Sequence, residues 1–283
     1  MMNMGYPRLC AFYKDKQCIE YLDTHLTNVA IISANIVSKS LHGKIYEEMD
    51  KLALISGLLH DIGKAMNLYQ KEPGKGFSGH ELVSAIIAYN IIVNKCIDIE
   101  EKSFLPIIYA ILVHHQAQDP LPWRVSNLGD RLSNIDNNKL FPDLLDKLLL
   151  NLLEKFGLKV FSEKCIRKAI ESSEATLLNN IHVIPRRHSY VRKTGLNKEY
   201  MDIVAGIEKM FPLYNEVLDS LEGEEYITML HILRILSGIL MISDKYVSVI
   251  CRGDREKALS NPYYISIEKM INTICKEEKL ICN

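Results

Sequence analysis

One stretch constrains the chain more than any other. From Leu52 to Leu59 it is a largely apolar run that stops at His60 and Asp61, with Gly63 following two positions later. Apolar residues at helical spacing, followed by glycine, define a helix whose last turn lies inside the protein. An imidazole and a carboxylate buried side by side need partners, because an unpaired buried charge costs on the order of several kcal/mol. A divalent metal ion suits both, since imidazole nitrogen and carboxylate oxygen each ligate such ions. The plainer reading is a satisfied core histidine beside a helix-terminal acid.

The same pattern recurs along the chain. A helical apolar stripe from about Tyr21 to Leu41 (Leu22, Leu26, Val29, Ile36, Val37) carries His25 on its inward face. Ser78-Gly79-His80-Glu81 has the form of a capping box, which puts His80 in the first turn of a helix running to about Asn94. A helix beginning near Ser103 carries an apolar run to Val113 and ends in His114 and His115. Tyr226 to Ile250 is apolar nearly all round, as in a buried helix, and is interrupted by Asp244 with Ser248 four residues on over the same face. A lone carboxylate there is hard to rationalise without a cation. His231 and Arg234 mark a polar edge of that helix.

Composition excludes several classes. With 48% hydrophobic and 24% charged residues in 283, the chain is that of an ordinary globular protein with a core needing no staples. A net charge of -1 argues against wholesale coating of nucleic acid, while leaving room for a local basic patch. Seven scattered cysteines, with no Cys-x-x-Cys spacing and no even framework, fit a reducing cytoplasm and no structural zinc knuckle. Residues 1–16 lack the apolar core of a signal peptide, and no run approaches the ~18 apolar residues of a membrane span. A soluble cytoplasmic protein with no membrane partner is expected. The organisation expected is one domain over 1–283, with a core of about 21–118 and 226–250 and an insertion of about 119–225. A short hairpin over 9–20 precedes the core, and a helix at about Ile265 to Ile274 follows it. The insertion holds a Leu-rich helix from Leu140 to Phe156, another from Asp202 to Leu221, and a basic loop between them. In that loop Arg186, Arg187, Arg192 and Lys193 surround Tyr190, a set suited to phosphate contact and base stacking or to a solvated surface.

The inward-facing candidate ligands are thus His25, His60, Asp61, His80, His114, His115 and Asp244. Five imidazoles and two carboxylates exceed what one ion holds, whereas two ions bridged by Asp61 distribute them sensibly. An imidazole-rich set suits Mn, Fe, Co or Ni better than Mg. Two such ions can activate a water near neutral pH and stabilise the oxygens of a displacement at phosphorus. Lys64, just beyond the doublet, is placed either to neutralise charge on a phosphate or to sit on the surface after a helix end.

In their order, these residues resemble the HD-domain metal-dependent phosphohydrolases. His80 in Gly79-His80-Glu81-x-x-Ser84, the His114-His115 pair and Asp244-x-x-x-Ser248 make the chain similar to the CRISPR-associated HD nucleases of type I interference. That resemblance implies an all-α HD-type helical bundle binding two divalent ions and degrading single-stranded DNA exposed by a crRNA-guided surveillance complex. It implies one ion on His25, His60, Asp61 and Asp244, and a second on Asp61, His80, His114 and His115. Lys64 would assist the phosphate and Ser248 would lie near the first ion. Because the sequence has no Gly-x-x-x-x-Gly-Lys-[Ser/Thr] loop, it looks like the stand-alone nuclease subunit acting with a separate helicase. The long stretch before Asp244 departs from compact family members, and Asp130 is the alternative for its role. Two rivals are a phosphohydrolase of nucleotides or cyclic nucleotides, for which one ion suffices, and a catalytically idle HD binding module.

Overall fold

The computed structural model describes residues 8–41, 48–115, 121–132, 139–180, 209–275, 280 and 282. It opens with the expected hairpin, β1 (Cys10–Lys14) and β2 (Gln17–Tyr21), paired antiparallel and turned at Asp15 and Lys16, which both take positive φ. All other regular structure is helical: α1 (Leu22–Ser40), α2 (Met49–Leu59), a 3-10 turn (Ile62–Ala65), α3 (Asn67–Gln70), α4 (His80–Val93) and α5 (Phe104–Val113). Then come α6 (Leu121–Leu132), α7 (Leu145–Lys155), α8 (Glu163–Asn180), α9 (Pro212–Asp219), α10 (Gly223–Cys251), α11 (Arg255–Ala258) and α12 (Pro262–Ile274). The all-α expectation holds.

The core forms where α2 lies along α1, α4 pairs with α5, and α10 crosses α1, α2 and α5. Leu22, Leu26 and Val29 of α1 and Ile55, Leu58 and Leu59 of α2 share one core cluster, all fully buried. Each such side chain contributes about 1.5–3 kcal/mol relative to exposure. Gly57 permits the close approach, since a Cβ there would lie 2.5 Å from the Ala30 Cα.

The structure differs from the sequence reading at five places. The Ser78–Glu81 capping box does not form: Gly79, at φ 83, is the N-cap of α4 and no side chain caps it. Glu81 is instead drawn inward onto Arg124 (3.0 Å), and Ser78 donates to the Arg124 carbonyl (3.2 Å). Helix α10 is buried only from Leu233 on, and its first turns are exposed, including Tyr226 and Ile227. That same helix is the one among the described residues long and apolar enough to cross a membrane, by length and composition alone, although Arg234, Asp244 and Lys245 interrupt its apolar run.

In the stretch expected as an insertion, α6 and α8 form where no helix is expected, α7 starts at Leu145, past Pro142, and the helix expected from Asp202 to Leu221 begins, among the described residues, only at Pro212. Helix α8 packs on α4, with Asn90 donating to Ser173 (3.1 Å). Finally, six of the seven cysteines pair, as Cys10–Cys18, Cys96–Cys165 and Cys251–Cys282, with Cys275 buried and outside any disulfide. Two of these pairs close over 69 and 31 residues, separations at which folding, and no local spacing motif, brings the sulfurs together. The basic loop of Arg186, Arg187, Tyr190, Arg192 and Lys193 lies outside the described residues.

Candidate metal centre

Helix ends build the site. His60 is the C-cap of α2 and Asp61 follows it, opening the 3-10 turn. His114 is the C-cap of α5, with His115 next; His80 is the first residue of α4. His25 comes from the first turns of α1, and Asp244 from the buried half of α10. Two C-termini directed at one point place their partial negative charge where a cation is favoured. Gly63 brings the α2 end against α4: its N–H donates to Ser84 Oγ (2.8 Å), and an added Cβ would lie 2.3 Å from the His80 carbonyl oxygen.

Asp61 is fully buried, and its two oxygens face different sets of rings. Oδ2 lies 3.1 Å from His25 Nε2 and 3.4 Å from His60 Nε2, while Asp244 Oδ1 is 3.2 and 3.8 Å from the same two atoms. Oδ1 lies 2.7 Å from His80 Nε2 and 3.5 Å from His114 Nε2. Two groups result, His25–His60–Asp61–Asp244 and Asp61–His80–His114–His115, each with donor atoms within 4.8 Å of one another. Ser248 donates to Asp244 Oδ1 (3.2 Å). Asp130, on α6, belongs to neither group. Lys64 is not a surface lysine: it is buried, and its Nζ meets Asp61 Oδ2 at 2.5 Å.

Four rings are anchored through Nδ1. His60, His80 and His114 donate to the carbonyls of Gly57 (2.8 Å), Phe77 (2.5 Å) and Ile111 (2.6 Å), and His25 Nδ1 meets Glu20 Oε1 at 2.8 Å. A neutral imidazole protonated at Nδ1 carries its lone pair on Nε2, the tautomer that ligates metal. Those four Nε2 atoms and Asp61 Oδ1 are buried without a hydrogen-bond partner; their approaches to Asp61 are close but misaligned. Lone pairs directed at a carboxylate repel it unless a cation lies between, so the residues fit a divalent metal.

Protons alone do not replace that cation. Burial lowers the His25 pKa, but the charge and hydrogen bond of Glu20 and the close carboxylates of Asp244 and Asp61 outweigh burial and raise it to about 10. Burial pushes His114 down to about 4, leaving it neutral. Asp61 is held well below the carboxylate range: burial opposes its charge, and Lys64, His60 and His80 overcome that opposition. For Asp244, burial is overcome by the close approach of His25 and His60, which holds its carboxyl well below the usual range. A proton on His25 serves the first group only, and the neutral His114 of the second keeps its Nε2 lone pair.

Glu20 escaped the sequence reading. It is 1% exposed, and its Oε2 also meets Arg252 Nε at 2.7 Å. The available signal was an acid at an inward position of β2, five residues before His25.

Residues 22–150 of the chain match the family model of the HD domain. The two donor groups, each able to hold a metal ion, take their ligands Asp61, His25, His60, His80, His114 and His115 from inside that matched stretch. As the motifs led us to expect, the chain resembles the CRISPR-associated HD nucleases. Over 152 residues it is 32% identical to the CRISPR-associated endonuclease Cas3-HD of Pyrococcus furiosus, a match covering 49% of this chain. The match spans 59% of that relative's length. Among solved structures, the chain is similar to the CRISPR-associated Cas3 HD domain protein of Methanocaldococcus jannaschii. That likeness has 20% identity and a TM-score of 0.34 over 73% of this chain and 100% of that one, too slight to carry an argument.

Proposed function

We propose that this chain is a cytoplasmic nuclease that hydrolyses single-stranded DNA in type I CRISPR interference, using two divalent ions that share Asp61. The observation that carries the reading is the division of Asp61, one oxygen toward each group of imidazoles. Manganese or another transition metal, Co, Ni or Fe, suits five imidazoles better than Mg does. When bound, the ions supply Lewis-acid polarisation of a phosphate oxygen and a water acidified toward neutral pH.

The chain's own residues set the stage for that chemistry. The Nδ1 anchors fix each ring so that its Nε2 needs no reorganisation to ligate. Asp61 holds the two groups in register, and Lys64 places a fixed positive charge beside it to offset charge developing on the phosphate. Burial of the acids and rings keeps competing water away. Arg186, Arg187, Arg192 and Lys193, with Tyr190, form a basic, base-stacking contact to the strand. The strand is delivered by a separate helicase subunit acting with the crRNA-guided surveillance complex. We read 1–283 as one domain, with 119–225 inserted before the last ligand helix.

The test incubates the chain with single-stranded DNA, duplex DNA and a panel of nucleotides and cyclic nucleotides, in Mn, Mg, Co or Ni and in chelator. Cleavage of the single strand, dependent on metal and absent in chelator, is expected. Hydrolysis confined to the nucleotide panel overturns the nuclease reading in favour of a nucleotide phosphohydrolase.

A further inference from the structure

Beside the metal centre, where α10 ends and α11 and α12 turn back, lies a cleft of about 380 Å3. One wall is a single face of α10, formed by Lys245, Ser248 and Arg252, and Lys257 of α11 and Tyr264 of α12 line it opposite. Three observations distinguish it from an incidental groove. First, it is continuous with the site: Ser248 on its wall donates to Asp244, and Arg252 grips Glu20, the carboxylate that anchors His25. Second, Lys245 and Lys257 are exposed and, among the described residues, take part in no ion pair, whereas neighbouring Arg255 is held by Glu268 at 2.8 Å. Third, Tyr264 is 1% exposed and its hydroxyl has no hydrogen-bond partner. A buried phenol lacking a partner is costly in a folded chain, and a ligand that accepts its hydrogen bond on binding explains it.

We infer that this cleft holds a backbone phosphate of the substrate strand, flanking the scissile one. Lys245 and Lys257 supply the charge and the Tyr264 hydroxyl the directed donor. The inference rests on the nuclease reading above and adds the place where the strand is held. Asp254 also lines the cleft and opposes any anion, so the two lysines must outweigh it. A phosphate contact of this kind positions a strand without reading its sequence. Beside the centre, it would register the scissile bond over the two cation groups.

Fluorescence anisotropy of a labelled oligothymidylate, in chelator so that nothing is cut, tests the inference on the full chain across a salt series. Against wild type stand Lys245→Ala/Lys257→Ala, Tyr264→Phe, and Lys164→Ala/Lys168→Ala, which removes equal charge from α8. The cleft double variant is expected to weaken binding and to flatten the log-affinity against log-salt slope by about 1.4, or ~0.7 per lost contact on a single strand. The α8 control should leave both unchanged. Tyr264→Phe should weaken binding with the slope retained and with no loss of Tm, because it removes a hydroxyl that the free protein leaves unpaired. Inorganic phosphate should compete no better than chloride at equal ionic strength; displacement at low concentration would make the site one for free phosphate and overturn the strand assignment. Equal effects from both double variants, or none from either, also overturn it. A wild-type chain that binds the strand through these lysines but cuts nothing in any metal would sink the nuclease reading while leaving the cleft assignment intact.

Discussion

Glu20 and His25 form a buried pair, Oε1 to Nδ1 at 2.8 Å, and the other Glu20 oxygen reaches Arg252 at 2.7 Å. One carboxylate thereby ties the hairpin, the start of α1 and the end of α10 together behind the metal centre. His25 is the one anchored ring that leans on a charged side chain; the other three lean on backbone carbonyls three residues earlier in the chain.

Glu20→Ala should therefore act selectively. Outer-shell partners of this kind typically contribute about 10–100-fold to metal affinity, so the first group should weaken by that factor while the second is spared. Removing one partner of a buried pair also costs about 3–5 kcal/mol, visible as a lower Tm. Glu20→Gln, which keeps an oxygen for the ring, should recover much of the affinity. Manganese titration followed by calorimetry reads the two groups separately. Equal weakening of both would reduce Glu20 to a purely structural role.

The division of Asp61 makes a stoichiometric prediction. His114→Ala and Asp244→Ala each touch one group, so each should lower the bound metal from about two ions per chain to about one. Asp61→Ala should lose both ions and abolish hydrolysis while the helices remain, because the core contacts of α2 lie in Ile55, Leu58 and Leu59. Elemental analysis after gentle purification, with far-ultraviolet circular dichroism as the folding control, decides the matter. A single ion in wild type would sink the shared bridge, as would full activity in Asp61→Ala.

These residues were legible in the sequence because each sits where an apolar helical run stops or breaks. That is a local signal, and His60, Asp61, His114 and Asp244 all carry it. Glu20 does not: its significance arises from β2 folding back beside α10, a contact spanning 232 residues. Helix α8 shows the same limit in milder form. Its buried positions, Ile166, Ala169, Ile170, Ser173 and Leu177, keep helical spacing, but Ala and Ser dilute the apolar stripe and the charged face dominates. The capping box misled for a physical reason as well, since Glu81 gains more from Arg124 in the interior than from a backbone amide at the helix start.

Gly63 offers a test of how the doublet is held. A methyl group at this position would meet the His80 carbonyl at 2.3 Å and the Ser84 nitrogen at 2.8 Å, backbone atoms that cannot step aside cheaply. Gly63→Ala should destabilise by about 1–3 kcal/mol, as overpacking does, and should shift His80 relative to Asp61 so that the second group loses metal first. Gly238→Ala on α10 is the matched control: its Cβ meets nothing within 4 Å. As a glycine inside a helix, it should gain about 0.5–1 kcal/mol. Thermal melts of the two variants with opposite signs would support the close approach; matching signs would refute it.

The cysteine pairing makes a prediction independent of metal. Cys96, just past α4, joins Cys165 in the first turn of α8, next to the backbone bridge between Ile97 and Val160. A closed loop of this length, 69 residues, lowers the entropy of the unfolded chain enough to stabilise the fold by about 4 kcal/mol in the chain-entropy model. Denatured without reductant, the protein should show one reactive thiol, Cys275, and after reduction all seven. Reduction should lower the denaturation midpoint, and Cys96→Ser/Cys165→Ser should reproduce the largest single share of that drop, because the longest loop carries the largest entropic effect. Seven thiols before reduction would mean that the sulfurs are neighbours without a bond, and that α8 is held on α4 by Asn90, Ser173 and the packing around them alone.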